Sequence, residues 1–274
     1  MGEPFLKWAG GKRWLVRAGS LSVPSHYNRF IEPFLGGGAV FFALEPSAAI
    51  LSDVNSELVE LYEIVRDEPV ALRDVLEWHQ SRHSREHYYA IRGRQFEGKV
   101  WRAARTLYLN RTCWNGLYRL NRKGEFNVPM GSKTDILIED DFLSYSNALS
   151  SAFLLCSDFE QTIDMAKDGD FIFADPPYTV KHNMNGFVKY NEKIFSWEDQ
   201  IRLREACTRA ANRGATVVIA NADHPSIHDL YRGLGRTEKL ARHSVISGRS
   251  AGRGSVTEAL ILMDPRREEA GVPG

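Results

Sequence analysis

Six short, almost unbroken apolar runs constrain the fold of this 274-residue chain: Phe30–Phe34, Ala48–Asp53, Ala152–Asp158, Phe171–Tyr178, Thr216–Asn221 and Ala259–Met263. Continuous apolar character at this length suits strands buried on both faces of a parallel sheet. Amphipathic helix lies between them. Its clearest example opens on Ser196 as N-cap, carries Glu198 and Asp199 in its first turn, and repeats apolar or small residues at 203, 206, 207, 210 and 211 before Gly214 stops it. Strand alternating with helix predicts an α/β, doubly wound, mostly parallel sheet. No apolar run approaches the roughly 18 residues of a membrane span, and Met1–Pro4 show no basic-then-apolar secretory pattern.

The alternation breaks between Asp53 and Ala152. Helical pattern fills about 55–65, 69–81, 85–97 and 100–110, and a strand-like stretch with glycines follows at 117–130. Charge changes at the same place. The formal net charge is zero, yet residues 79–134 hold twelve Lys/Arg against three Asp/Glu, a net of +9. Such a block is either a footprint for a polyanion or a solvated helical face. The expected organisation is a discontinuous domain, 1–56 with 150–264, an inserted domain at 57–149, and a tail at 265–274. Cys113, Cys156 and Cys207 are odd in number and lack metal-ligand spacing, as expected of reduced thiols in a cytosol.

Phe34-Leu35-Gly36-Gly37-Gly38 leaves the first strand and enters a helix at Ala39. Glycines there permit a sharp turn and let a ligand approach the backbone. The dinucleotide fingerprint fails, because its third glycine falls on Phe41. Asp53 ends the second strand, 17 residues after Gly36, where an acid can accept both ribose hydroxyls. These features point to a nucleoside-containing cofactor other than NAD; a plain strand-to-helix turn is the alternative. Gly10-Gly11-Lys12 is no P-loop, since Leu6 and Arg13 stand where that loop needs Gly and Ser/Thr. Asp175-Pro176-Pro177-Tyr178 ends the fourth strand. Its prolines remove two donors and stiffen the turn, leaving a carboxylate and carbonyls beside an aromatic ring. An amine on a flat ring suits this place: Asp175 and the Pro176 carbonyl accept its two hydrogens while Tyr178 stacks. A rigid turn with a solvent-facing Asp is the alternative.

Trp8-Ala9-Gly10-Gly11-Lys12, the 34–38 turn, Ser52-Asp53-Val54-Asn55 and Asp175–Tyr178 stand in the order seen in adenine-specific DNA methyltransferases of the Dam type. The block from Asn110 to Arg119, continuing through Gly124 to Pro129, also resembles that family. The resemblance spans about residues 4–262. It implies transfer of a methyl group from S-adenosylmethionine to the 6-amino group of adenine in double-stranded DNA, without a metal, after the base is flipped out. It puts Trp8, Lys12, Phe34, Gly36, Gly38, Asp53, Asp158, Phe159 and Asp175 at the cofactor, and Asp175, Pro176, Pro177 and Tyr178 at the target adenine. It puts Lys7, Arg111, Trp114, Asn115, Leu117, Arg119 and Pro129 on DNA. The inserted segment becomes a mainly helical recognition domain with a β-hairpin turning at Arg122-Lys123-Gly124. The implied target is GATC, with Trp at position 114 where Tyr is usual. A monomer in a bacterial or phage-infected cytosol is expected, with a cognate endonuclease as partner in a restriction setting.

Some features compete with this. His83-Ser84-Arg85-Glu86-His87 matches a zinc-protease arrangement, and His79 extends it at i, i+4 spacing. Arg82 and Arg85 oppose a dication there, so a solvated DNA-side helix is expected. Trp78, Tyr88 and Tyr89 read as packing. The polar run 181–195 reads either as a cover over the target base or as a surface loop. Rival functions are methylation of another planar amine, such as cytosine or an RNA base, a nicotinamide dehydrogenase, and a non-catalytic DNA-binding relative.

Overall fold

The computed structural model describes residues 2–121, 124–137, 141–180, 195–243 and 255–264. Seven strands lie among them: β1 (Phe30–Glu32), β2 (Ala49–Asp53), β3 (Ala152–Cys156), β4 (Phe171–Ala174), β5 (Thr216–Ala222), β6 (Arg236–His243) and β7 (Ser255–Met263). They run in the order β3-β2-β1-β4-β5-β7-β6. β2 pairs parallel with β3, β4 pairs parallel with β1 and β5, and β7 is antiparallel to β5 and β6. This is the mostly parallel α/β sheet that the apolar runs predict. β1 and β4 are buried along their whole length. β1 stops before Pro33, and Pro176 and Pro177 come after the end of β4, because proline cannot donate to a ladder. β6 carries no apolar run. It lies at the sheet edge, where Arg236, Glu238 and Lys239 guard an exposed ladder.

The chain divides into two compact units, Met1–Arg17 with Leu35–Cys156, and Ala18–Phe34 with Ser157–Gly274. The first holds α1 (Arg13–Arg17), α2 (Ala39–Leu44), α3 (Ser56–Asp67), α4 (Pro69–Ser81), α5 (Arg85–Gly93), α6 (Lys99–Thr112) and α7 (Phe142–Leu149). α6 packs against α3, α4 and α5. Every residue of α6 from Ala103 to Thr112 is buried, so it forms the centre of this unit. α5 ends at Gly93 rather than near 97, since Arg94 turns extended with ψ 137°. The strand pair expected at 117–130 reduces to two isolated bridges, Cys113 with Met130 and Leu120 with Phe126. Trp114–Gly116 coil into a short 3-10 turn with left-handed backbone at Asn115 (φ 56°) and Gly116 (φ 65°), which interrupts pairing.

In the second unit, α8 (Phe159–Asp164), α9 (Trp197–Asn212) and α10 (Pro225–Leu230) accompany β1 and β4 to β7. α9 packs on α8 and β5. It starts as the sequence predicts: Ser196 and Asp199 exchange side chain-to-backbone hydrogen bonds in a capping box. Gly214, with φ +98°, stands just past its end. No helix among the described residues is long and apolar enough to cross a membrane.

Candidate cofactor site and nucleic-acid interface

In the first unit, the glycine turn bends at once after Phe34. Leu35 N–H donates to the Ser52 carbonyl at 2.9 Å, and Gly38 N–H to the Leu35 carbonyl at 2.7 Å. Gly36 and Gly38 have φ of +47° and +64°, the region that favours glycine. Space forbids a side chain too. A Cβ on Gly36 would come within 2.7 Å of the Trp8 indole, and one on Gly38 within 2.9 Å of the Tyr62 hydroxyl. Asp53 Oδ2 accepts Gly36 N–H at 3.1 Å and its Oδ1 accepts Asn55 N–H at 3.0 Å. Burial pushes the Asp53 pKa above the ordinary carboxylate value, against the pull of these amides. A carboxylate offers about four acceptor sites, so lone pairs are left for a diol. The Lys12 side chain is buried, with Nζ donating to the Gly10 carbonyl at 2.9 Å. Trp8, Lys12, Gly36, Gly38 and Asp53 are thus parts of one unit.

The same unit carries the expected DNA-contacting residues. Lys7, Trp114, Asn115, Leu117 and Arg119 are exposed. Trp114, Leu117 and Leu120, close in sequence, expose 56%, 41% and 37% of their surface. Trp114 N–H donates to the Pro129 carbonyl at 2.9 Å, and Asn127 N–H to the Arg119 carbonyl at 3.1 Å, so the two limbs of the loop meet. The Arg119 guanidinium is steadied by Asn127 Oδ1 at 2.9 Å. Gly124 N–H bonds to the Asn121 carbonyl, while Arg122 and Lys123 lie outside the described residues. Arg111 differs from the others. It is buried, donates to the Ile136 and Phe5 carbonyls at 2.6 and 2.9 Å, and lies over the Phe142 ring. That arrangement ties backbone segments together.

In the second unit, Phe34 stacks on Phe159 at 5.3 Å, and Phe195 meets both rings. Asp158 Oδ1 caps α8 through Glu160 N–H and receives the Arg202 guanidinium, both at 2.9 Å. Arg202 also lies over the Phe159 ring at 4.9 Å. Asp175 is half-exposed at the carboxyl end of β4. Three hydrogen bonds hold Tyr178 and Thr179 just beyond it. Tyr178 hydroxyl donates at 2.9 Å to Oε2 of Glu258, a buried residue of β7. Thr179 hydroxyl donates to the Phe195 carbonyl at 2.7 Å, and Gln200 Nε2 to the Thr179 carbonyl at 3.3 Å. The Tyr178 ring is therefore held at its far end as well as by the prolines. Of the run 181–195, only Phe195 lies within the described residues.

Sequence inspection gave no separate role to Asn110 and Tyr118, which lie in the Asn110–Arg119 block, or to Arg202 and Glu258; each has a partner far along the chain, in Lys7, Glu57, Asp158 and Tyr178 respectively. The histidines also differ from expectation: the chain leaves helical geometry at Arg82, so they do not share one helix face. His79 Nδ1 and His87 Nε2 lie 3.0 Å apart across two helices, and His79 stacks on Tyr108. Among the described residues, no group of three or more His, Cys, Asp or Glu is placed to hold a metal. Trp78 packs edge-on to Trp101, Tyr88 is fully buried, and Tyr89 lies beneath Arg85 and Arg92.

Comparison with known proteins gives the family. A type II methyltransferase, M1.LlaDCHI, of Lactococcus lactis subsp. cremoris is 38% identical over 269 residues, covering 94% of both chains. The type II methyltransferase M.MjaIII of Methanocaldococcus jannaschii is 32% identical, covering 95% of this chain and 98% of its own. The DNA adenine methylase of Escherichia coli K12 is 34% identical, covering 95% of both chains. The family model described as D12 class N6 adenine-specific DNA methyltransferase matches residues 8–245, and this chain belongs to that family of enzymes.

Proposed function

We propose that the methyl donor is S-adenosylmethionine and that the target is the adenine of GATC in double-stranded DNA. The observation that carries the chemistry is the Asp175–Tyr178 turn, stiffened by two prolines and anchored through Tyr178 to buried Glu258. The donor supplies a methyl group on a sulfonium, which is already an activated leaving group and needs no metal. Asp53 accepts the ribose hydroxyls with the lone pairs its amide partners leave, and Lys12 neutralises the methionine carboxylate. Trp8 and the Gly36–Gly38 turn line the methionyl part. Phe34, Asp158 and Phe159 serve the cofactor adenine, with Arg202 fixing Asp158.

Asp175 and the Pro176 carbonyl accept the two amino hydrogens of the flipped adenine, while Pro177 stiffens the turn and Tyr178 stacks on the ring. The amine lone pair then points away from these acceptors. As nitrogen gains positive charge, the Asp175 carboxylate stabilises it. Positioning and exclusion of water do most of the work. On the DNA side, Trp114 wedges beside the flipped base, Arg119 grips a guanine, and Lys7, Asn115, Leu117 and Pro129 complete the set. Arg111 acts through the fold rather than on DNA. Residues 57–149 form the recognition domain, and 1–56 with 150–264 the methyltransferase domain. The enzyme works as a monomer in the cytosol, and the type II names of two relatives favour a cognate endonuclease.

Tritiated methyl incorporation into GATC duplexes and into every single-base variant tests the target. GATC is expected to be preferred, and Arg119→Ala to lose about 1–3 kcal/mol of discrimination at one base pair. Equal rates on non-GATC duplexes would reject the sequence assignment and leave the chemistry standing.

A further inference from the structure

Tyr118 occupies an unusual position in the recognition loop. Its neighbours Leu117, Arg119 and Leu120 are exposed, whereas Tyr118 turns inward. Its ring stacks on Trp8, with centroids 5.3 Å apart and planes 27° from parallel. Trp8 in turn lies so close to the glycine turn that a Cβ on Gly36 would fall 2.7 Å from it, and one on Gly37 would sit tightly at 3.1 Å. The far end of Tyr118 is held as well, for its hydroxyl donates to Glu57 Oε2 at 3.0 Å. Glu57 lies in the first turn of α3, close behind Asn55, the residue whose N–H donates to Asp53. Tyr118 also meets Phe126 edge-on at 5.9 Å, and Phe126 belongs to the opposite limb of the loop. One side chain therefore touches the opposite limb of the recognition loop, the indole that packs on Gly36, and the first turn of the helix that follows Asp53.

We propose that the Trp8–Tyr118 stack couples cofactor binding to DNA recognition, so that filling the glycine turn fixes the recognition loop in its base-reading form. The inference rests on the assignment of S-adenosylmethionine to that turn. A ligand seated against Gly36 and Asp53 restricts the indole that already packs on it. The restricted indole gives Tyr118 a fixed face to stack on. A fixed Tyr118 settles the backbone on either side, and with it the directions of Leu117 and Arg119. Tyr118 is a positioning residue in this scheme, since it touches Trp8 and not the ligand. Coupling between two sites is reciprocal: the duplex must raise affinity for the cofactor by the same factor as the cofactor raises affinity for the duplex.

The probe is S-adenosylhomocysteine, which lacks the transferable methyl group and so permits equilibrium measurement. Calorimetry first measures its affinity for the full-length enzyme without DNA. Fluorescence anisotropy then measures the Kd for a GATC duplex with and without it. In the wild type the ratio of the two Kd values is expected to be about five or more, the lower end of measured couplings. Tyr118→Ala should bring that ratio close to one, whatever its absolute affinities, and Tyr118→Phe should restore it because the stacked face survives. If Tyr118→Ala does not fold, Tyr118→Leu keeps more apolar bulk without a flat face and makes the same comparison. A wild-type ratio near one with bound S-adenosylhomocysteine overturns the coupling and leaves the cofactor assignment intact. A wild-type ratio retained by Tyr118→Ala or Tyr118→Leu also overturns it. Failure of S-adenosylhomocysteine to bind the enzyme at all overturns the cofactor assignment, and the coupling with it.

Discussion

Asn110 grips Lys7 by both of its backbone groups: its Oδ1 accepts Lys7 N–H at 3.1 Å and its Nδ2 donates to the Lys7 carbonyl at 2.7 Å. Nδ2 also lies 3.4 Å from the Gly116 carbonyl, in the turn that presents Trp114 and Asn115. A buried side chain on α6 thus registers the amino-terminal segment against the turn at Trp114–Gly116. Asn110→Ala should leave buried backbone groups without partners, at a cost of about 1–3 kcal/mol in denaturant unfolding. It should also shift base discrimination at the position affected by Lys7→Ala. Unchanged stability and an unchanged base profile would remove Asn110 from this role.

Asp53 leads to a pH prediction. Its carboxyl is held above the ordinary range chiefly by burial. The ionised form would accept the diol, so cofactor affinity should be full above this raised pKa and fall as pH drops through it. The fall should begin at higher pH than an ordinary carboxylate would give. Asp53→Asn presents an amide N–H₂ to amide donors and should lose about 1.5–3 kcal/mol of binding, with the acid-side fall abolished. Calorimetric titration across pH 4 to 8 reads both effects. Equal acid sensitivity in wild type and Asp53→Asn would show that another group controls the titration.

The bond from Tyr178 to Glu258 predicts a division between chemistry and affinity. Asp175→Ala should abolish methyl transfer while duplex affinity changes little, because phosphate contacts elsewhere supply most of it. Glu258→Ala keeps Asp175 but removes the carboxylate to which the Tyr178 hydroxyl donates, so kcat should fall more than duplex binding weakens. Single-turnover methylation measured beside anisotropy separates the two, and retained turnover in Asp175→Ala would take that carboxylate away from the reacting amine.

His79 should make the helical unit sensitive to acid. It is fully buried, and burial together with neighbouring His87 lowers its pKa from 6.5 to about 3. His83 and His87 are lowered too, mainly by burial. Above pH 6.5 the ring is neutral whether folded or unfolded, so it contributes no pH slope. Between 6.5 and about 3 only the unfolded chain takes the proton, and stability falls as pH falls. The slope for one such group is about 1.4 kcal/mol per pH unit. Urea unfolding at pH 7.5, 6.5 and 5.5 should show a plateau followed by a decline, and His79→Phe should flatten the decline.

Much of this protein is set by local pattern. The six apolar runs become strands because continuous apolar character needs cover on both faces, whatever the details of the fold. Ser196 and Gly214 set the limits of α9, since capping and left-handed geometry are properties of a few neighbouring residues. The Asp175–Tyr178 turn and the glycines at 36 and 38 are recognisable for the same reason. Tertiary structure decided the rest. Charged β6 is a strand only because β7 offers it a partner. Arg111 sits in a motif whose neighbours are proposed to contact DNA, yet carbonyls contributed by residues 5 and 136 draw it inward. Trp8 and Tyr118 are 110 positions apart and meet face to face. Hydrogen bonding within a turn is written in adjacent residues, whereas a stack or a buried tie depends on which distant groups the fold brings within reach.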